Sequence, residues 1–182
     1  RLHQRWARYS AAAPVTPLPG LREAVLSATS IDRAAIAVAA ARLLAGEFDV
    51  LGQAWPPRDP TNLFPPELWR LDPVTGTLWP GAETYCFDID FRHAEGRGDV
   101  KYVWELNRLQ LLQPLAAHVL LTGDSSSLTA IETAIASWHA ANPPYGGVSW
   151  ASGIEVALRA ISLLVATSLV GDRFGAATHQ HV

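Results

Sequence analysis

The sequence predicts a mainly α fold: antiparallel helical hairpins, a Pro- and Trp-rich loop region, and one or two short strands. Three observations carry that expectation. An alanine-rich run from Ile31 to Ala45 sits between Ser30 and Gly46, residues suited to the start and end of a helix. After Gly98 the chain offers long apolar-periodic segments joined by short turns. Between these regions Pro56, Pro57, Pro60, Pro65, Pro66, Pro73 and Pro80 break any regular element.

The chain opens with a basic aromatic start, Arg1 to Tyr9, and a connector, Pro14-Val-Thr-Pro-Leu-Pro-Gly20, whose prolines cannot continue a helix. Residues 1–20 are therefore separate from a folded domain over 21–182. Ser30 is the expected N-cap of the first long helix. Phe48-Asp-Val-Leu51 is short enough for a strand, and Tyr85 to Phe91 alternates Tyr85, Phe87, Ile89 and Phe91 against Cys86, Asp88, Asp90 and Arg92, the pattern of a second one. Trp55, Phe64, Trp69 and Trp79 follow neither helical nor strand spacing, and read as pegs that pin a long loop to the helical body. Asp99 then caps a helix running to about Leu121, Gly123-Asp124 ends it, and Ser125 to Ala141 forms the next. Asn142-Pro-Pro-Tyr-Gly-Gly147 is a turn, and a last helix runs from about Ser152 to Val170.

Composition narrows the function classes. A chain of 182 residues with 49% hydrophobic content is long enough to bury one sizeable core. A formal charge of −3 gives no electrostatic footprint for nucleic acid. Cys86 is the single cysteine, which excludes an internal disulfide or a thiolate metal cluster and reads as a buried structural thiol. His179 and His181 lack a third ligand, His118 continues an apolar stripe, and His93 lies in a polar turn, so neither a metal nor another cofactor is expected. No uninterrupted apolar run of about eighteen residues is present, because Glu155 and Arg159 interrupt the longest one. A glycine-rich phosphate loop and a Gly-x-Ser-x-Gly elbow are both absent. The start at Arg1, without Met, suggests a fragment or a processed product.

Two motifs carry the chemistry. Lys101-Tyr-Val-Trp-Glu-Leu-Asn-Arg108 and Trp150-Ala-Ser-Gly-Ile-Glu-Val-Ala-Leu-Arg159 each put Trp, Glu and Arg within two turns of an apolar helix. In the first, Trp104 offers a stacking face, Asn107 both donor and acceptor, and Arg108 a fork that matches a carboxylate. These are the needs of an acidic sugar. Glu105 reads either as a ligand contact or as an ion-pair partner of Arg108. In the second, Ser152 and Glu155 stand at capping-box spacing and Glu155 and Arg159 at ion-pair spacing. Trp150 and Tyr145 lie in the preceding Gly-rich turn, where aromatic residues often meet ligand. Trp104, Asn107, Arg108, Trp150, Arg159, Glu105 and Tyr145 are thus the candidate substrate-binding residues. A rival reading makes Asp88, Asp90, Glu105 or Glu155 the acid and base of a glycosidase, and another makes the chain a helical module that holds acidic glycans without cleaving them.

These motifs, with Leu120-Leu-Thr-Gly-Asp124, Trp138 and Asn142-Pro143 between them, resemble the N-terminal domain of the heparinase II/III family of polysaccharide lyases, over roughly residues 40–170. The resemblance implies part of an incomplete (α/α) toroid that binds a uronate-containing polysaccharide, with β-elimination as the parent activity. In that chemistry a neutralised carboxylate makes the C5 proton acidic, and a Tyr or His removes it. It also implies catalytic residues and a β-sandwich downstream of Val182, so that the fragment alone is inactive and its partner is the remaining C-terminal part of the same protein. A periplasmic or secreted location is implied too.

Overall fold

The computed structural model describes residues 17–92 and 96–182. The basic start Arg1–Tyr9, the first part of the proline connector and His93 lie outside the described residues. The fold is mainly helical, with a single two-stranded sheet among the described residues.

Helix α1 (Leu21–Leu26) leads through a short turn to α2 (Ser30–Leu44). The cap of α2 is Thr29, one residue before the predicted Ser30. Its Oγ1 accepts from the Asp32 amide at 3.2 Å while the Asp32 carboxylate accepts from the Thr29 amide at 3.3 Å, a reciprocal pair that satisfies two otherwise orphaned donors. Strands β1 (Asp49–Val50) and β2 (Gln53–Ala54) pair antiparallel, so the predicted strand at 48–51 is half of a hairpin. Its turn residues Leu51 and Gly52 have φ of 53° and 72°, the left-handed pair that a tight two-residue turn demands.

The proline-rich stretch is held as its aromatics require. Trp55, Phe64, Trp69 and Trp79 are all buried, with Phe64 stacked on Trp69 at 5.9 Å. Ser137 ties this pair to the helical body, donating to the Phe64 carbonyl at 2.6 Å and accepting from Trp69 Nε1 at 2.9 Å. The predicted strand over 85–91 does not form. Cys86–Asp88 is a 3-10 turn, with Cys86 and Ile89 buried three residues apart. Seven residues of alternating sequence satisfy that short period as well as a strand's.

The predicted helix from Asp99 to Leu121 is two helices, α3 (Val100–Asn107) and α4 (Leu112–Thr122), with a sharp turn at Leu109, where φ is 56°. The reason is Pro114. In a continuous helix it would lack a donor for the Gln110 carbonyl and its ring would collide with that carbonyl; as the third residue of a new helix it needs no such bond. Helices α5 (Ser125–Ala141), α6 (Gly153–Val170) and α7 (Ala176–His179) complete the fold. Asp124 caps α5, accepting from the Ser127 amide at 2.7 Å. Helix α4 is the hub of packing: α1, α2, α5 and α6 all lie against it. Its Leu112, Leu115, Ala116 and Val119 are wholly buried, as expected of a helix apolar on every side.

By length and composition Gly153–Arg173 is apolar enough to cross a membrane, with a mean hydropathy of 1.8. The core helix of a globular protein passes the same test, and here the stretch carries Glu155 and Arg159 inside the fold.

Leucine is a poor occupant of the turn at 51, since a left-handed conformation costs a residue with a Cβ roughly 1–2 kcal/mol and asparagine less. Leu51 is exposed, so Leu51→Asn should raise stability by about 0.5–1 kcal/mol and the thermal midpoint by about 2–4 °C. A lowered midpoint in a calorimetric scan would contradict the hairpin geometry.

Candidate functional site

The two Trp-Glu-Arg motifs meet in space, and Asn107 joins them. Its carboxamide is fully buried and fully used. Nδ2 donates to the Trp69 and Val103 carbonyls, each at 2.7 Å. Oδ1 accepts from Trp138 Nε1 at 2.7 Å and Ser149 Oγ at 2.9 Å. Two donors and two acceptors are the whole capacity of an amide side chain. One residue thereby ties α3 to the aromatic loop, to α5 and to the turn before α6.

Arg159 completes the junction from α6. Its Nε donates to the Asn107 carbonyl at 2.8 Å and its Nη2 to the Ser149 carbonyl at 2.8 Å. The guanidinium lies 4.1 Å from the Trp138 ring centre and 5.4 Å from that of Trp150, so two indole faces supply the charge with a favourable surface. Burial pushes its pKa down to about 10, and it keeps its charge at neutral pH. Trp150 is itself anchored, donating to the Asn142 carbonyl at 3.2 Å.

Arg108 was expected to present its fork to a ligand carboxylate, and the fork is filled by Glu155 of the second motif. Nε donates to Glu155 Oε2 at 2.6 Å and Nη2 to Oε1 at 3.1 Å, while Nη1 pairs with Glu105. The hydrogen bond to Glu155 holds the guanidinium above its ordinary pKa. Glu155 is buried, and the predicted capping box with Ser152 is absent, since Ser152 makes no side-chain cap bond. The predicted pairing of Glu155 with Arg159 gives way to this bidentate contact across helices. Both glutamates accept from one arginine.

Sequence-predicted residues thus separate into two groups. Asn107 and Arg159 are buried with their polar atoms satisfied inside the fold, so they position the site and offer no face to a ligand, contrary to the groove-lining role expected of them. Trp104 is half-buried, donating to the Val148 carbonyl at 2.9 Å and meeting Phe91 edge-on at 4.9 Å. Glu105 faces a cleft of about 340 Å³ whose wall includes Arg42, Glu47, Asp49, Gln110 and Leu111. Tyr145 is exposed beside Trp150, ring centres 6.2 Å apart.

Sequence reasoning missed Tyr85 and Phe87 as surface residues. Like Tyr145, they are exposed aromatics, the three at 53%, 66% and 60% exposure for Tyr85, Phe87 and Tyr145. Tyr85 and Phe87 meet edge-on at 5.4 Å. The backbone fixes the three together: the Cys86 amide donates to the Tyr145 carbonyl at 2.9 Å, the Gly147 amide to the Thr84 carbonyl at 2.8 Å, and Tyr85 bridges Gly146. Tyr145 holds a left-handed φ of 64°, and Gly147, at φ 82°, lets the Gly81 backbone approach to within 3.0–3.2 Å of where a Cβ would stand. Nearby in sequence, Arg92 is exposed, forms no ion pair among the described residues, and lies 5.8 Å from the Phe91 ring centre. The pairing of 84–86 with 145–147 was the hidden signal, because the 145–147 segment has no strand periodicity.

Among the described residues no group of three His, Cys, Asp or Glu is placed to hold a metal. Comparison of the chain with known protein families, characterised proteins and solved structures finds no match.

Removing one partner of a buried ion pair leaves the other uncompensated, whereas apolar replacement of both is tolerated. Arg108→Met alone should therefore cost about 3–5 kcal/mol in urea unfolding. Adding Glu155→Leu should recover most of that loss. Additive losses in the two variants would show that the pair is not coupled.

Proposed function

We propose that this chain is the glycan-binding, N-terminal portion of an (α/α) toroid in a polysaccharide lyase of the heparinase II/III kind, holding uronate-containing chains for β-elimination. The observation that carries the reading is the exposure of Tyr85, Phe87 and Tyr145 on two loops whose backbones are joined by hydrogen bonds. Aromatic rings held in solvent are suited to cover the apolar faces of sugar rings, and pre-ordering them lowers the cost of binding.

The uronate preference finds its support in Arg92. Arg108 and Arg159 are bound within the protein, whereas Arg92 is exposed and has no carboxylate partner among the described residues. Support for the toroid comes from the hairpin-like packing of α4 with α5 and α6 and from the outer face of α2, where Ile31, Ala34, Val38 and Ala41 are exposed at three- and four-residue spacing. An apolar stripe of that kind suits a helical array that continues past it. The remaining C-terminal part of the same protein is the partner this reading supplies, together with the catalytic residues, and a periplasmic or secreted location fits such a substrate.

Calorimetric titration tests the reading. The chain should bind uronate oligosaccharides and bind neutral ones of equal length more weakly. Phe87→Ala and Tyr145→Ala should each weaken binding of both about tenfold, near 1.4 kcal/mol. Arg92→Ala should remove the preference for uronate. Equal affinity for charged and neutral chains would sink the uronate assignment, and no binding of either would sink the glycan reading.

A further inference from the structure

Loop 80–85 and turn 145–147 pack backbone against backbone. A Cβ on Gly146 would stand 3.1 Å from the Ala82 backbone, and one on Gly147 3.0–3.2 Å from that of Gly81. The exposed Tyr85 and Tyr145 belong to this pair of segments. The first of them also borders a pocket of about 220 Å³, whose lining includes Glu67, Arg70, Gly81, Glu83, Asn142 and Ser149. It is smaller than the roughly 300 Å³ at which drug-sized ligand pockets begin, so it suits one sugar ring and not a chain.

Asn142 makes the pocket more than a gap in the surface. The residue is 6% exposed, and its Nδ2 donates to the Trp138 carbonyl at 2.9 Å. Its Oδ1 accepts from none of the described residues, and it is not sealed from solvent. A buried amide oxygen needs a donor, and the pocket is the way by which one reaches it.

Arg70 is held loosely. Its Nη1 lies 3.5 Å from the Trp79 carbonyl oxygen and 3.7 Å from Glu83 Oε1, at or past the limit of a hydrogen bond. Its Nε and Nη2 donate to none of the described residues. Gly81 leaves room beside it, since a Cβ there would stand 3.3 Å from Arg70 Cδ and Nη1. Glu83 is fixed by its own loop, Oε1 accepting from the Gly81 amide at 2.9 Å, and Glu67 has no partner among the described residues. Charge then selects the ligand. One guanidinium against two carboxylates leaves negative charge in excess, which disfavours a uronate. A sugar hydroxyl both donates and accepts, so it can donate to Asn142 Oδ1 and the glutamates and accept from Arg70.

We propose that this pocket is a subsite for one uncharged sugar unit. Its hydroxyls donate to Asn142 Oδ1 and Glu67 and accept from the free nitrogens of Arg70. This subsite rests on the glycan reading, and adds to it a place, apart from the uronate contact at Arg92, where an uncharged unit is recognised.

Calorimetric titration with two tetrasaccharides tests it, one made of uronates only and one in which uronates alternate with neutral hexoses. The intact chain should bind the alternating probe about tenfold more tightly, the worth of one or two hydrogen bonds. Arg70→Met, which removes the donors, and Ala140→Leu, which fills the pocket from α5, should each bring the alternating probe down to the affinity of the all-uronate one. Ala140 is exposed, so Ala140→Leu keeps the test sound if Arg70→Met fails to fold. Equal binding of the two probes by the intact chain would overturn the subsite and leave the glycan reading standing. An advantage that survives both variants would do the same. Binding of neither probe would overturn both.

Discussion

The structure depends on one buried carboxamide. Asn107 is the point where α3, the aromatic loop, α5 and the turn before α6 are joined, through four side-chain hydrogen bonds and a backbone carbonyl taken by Arg159. A buried amide tolerates no unsatisfied atom, because each orphaned group costs about 1–3 kcal/mol. The four elements therefore hold a narrow set of positions. Ser149, in the turn that follows Tyr145, is held by both Asn107 and Arg159.

The charged groups follow the same logic. Arg108 and Glu155 form a bidentate pair between α3 and α6, and Arg159 is balanced by carbonyl oxygens and indole faces. A buried ion pair contributes little net stability compared with apolar packing, yet it penalises every arrangement that separates its members. Here it fixes how α3 and α6 lie against one another. Residues suited to holding a uronate are used to hold the protein, and the proposed reading therefore places binding on the loops.

Much of the fold was legible in the sequence. N-caps, terminating glycines and apolar spacing located α2, α5 and α6 to within a residue or two, and the irregular aromatics of the proline-rich stretch are the buried pegs expected of them. The break at Leu109 was missed, one helix being expected from Asp99 to about Leu121, although Pro114, costly inside a continuous helix, carried the signal. The Tyr85–Phe91 segment was not, because its partner at 145–147 is sixty residues away and lacks strand character. The candidate site was half legible. Sequence shows that Asn107 and Arg108 share a side of a helix with Trp104, but a polar residue on such a stripe faces either a groove or a polar core. The partners that decide it, the Trp69 carbonyl, Ser149 and Glu155, come from distant segments.

The central claim is that the motif arginines act inside the protein and that the loops meet the glycan. Nuclear magnetic resonance of the arginine Nε–Hε groups, followed while a uronate oligosaccharide is added, tests it residue by residue. The account predicts that the Arg92 resonance moves with ligand concentration while those of Arg108 and Arg159 stay in place. Movement of Arg108 or Arg159, with Arg92 unchanged, would contradict it.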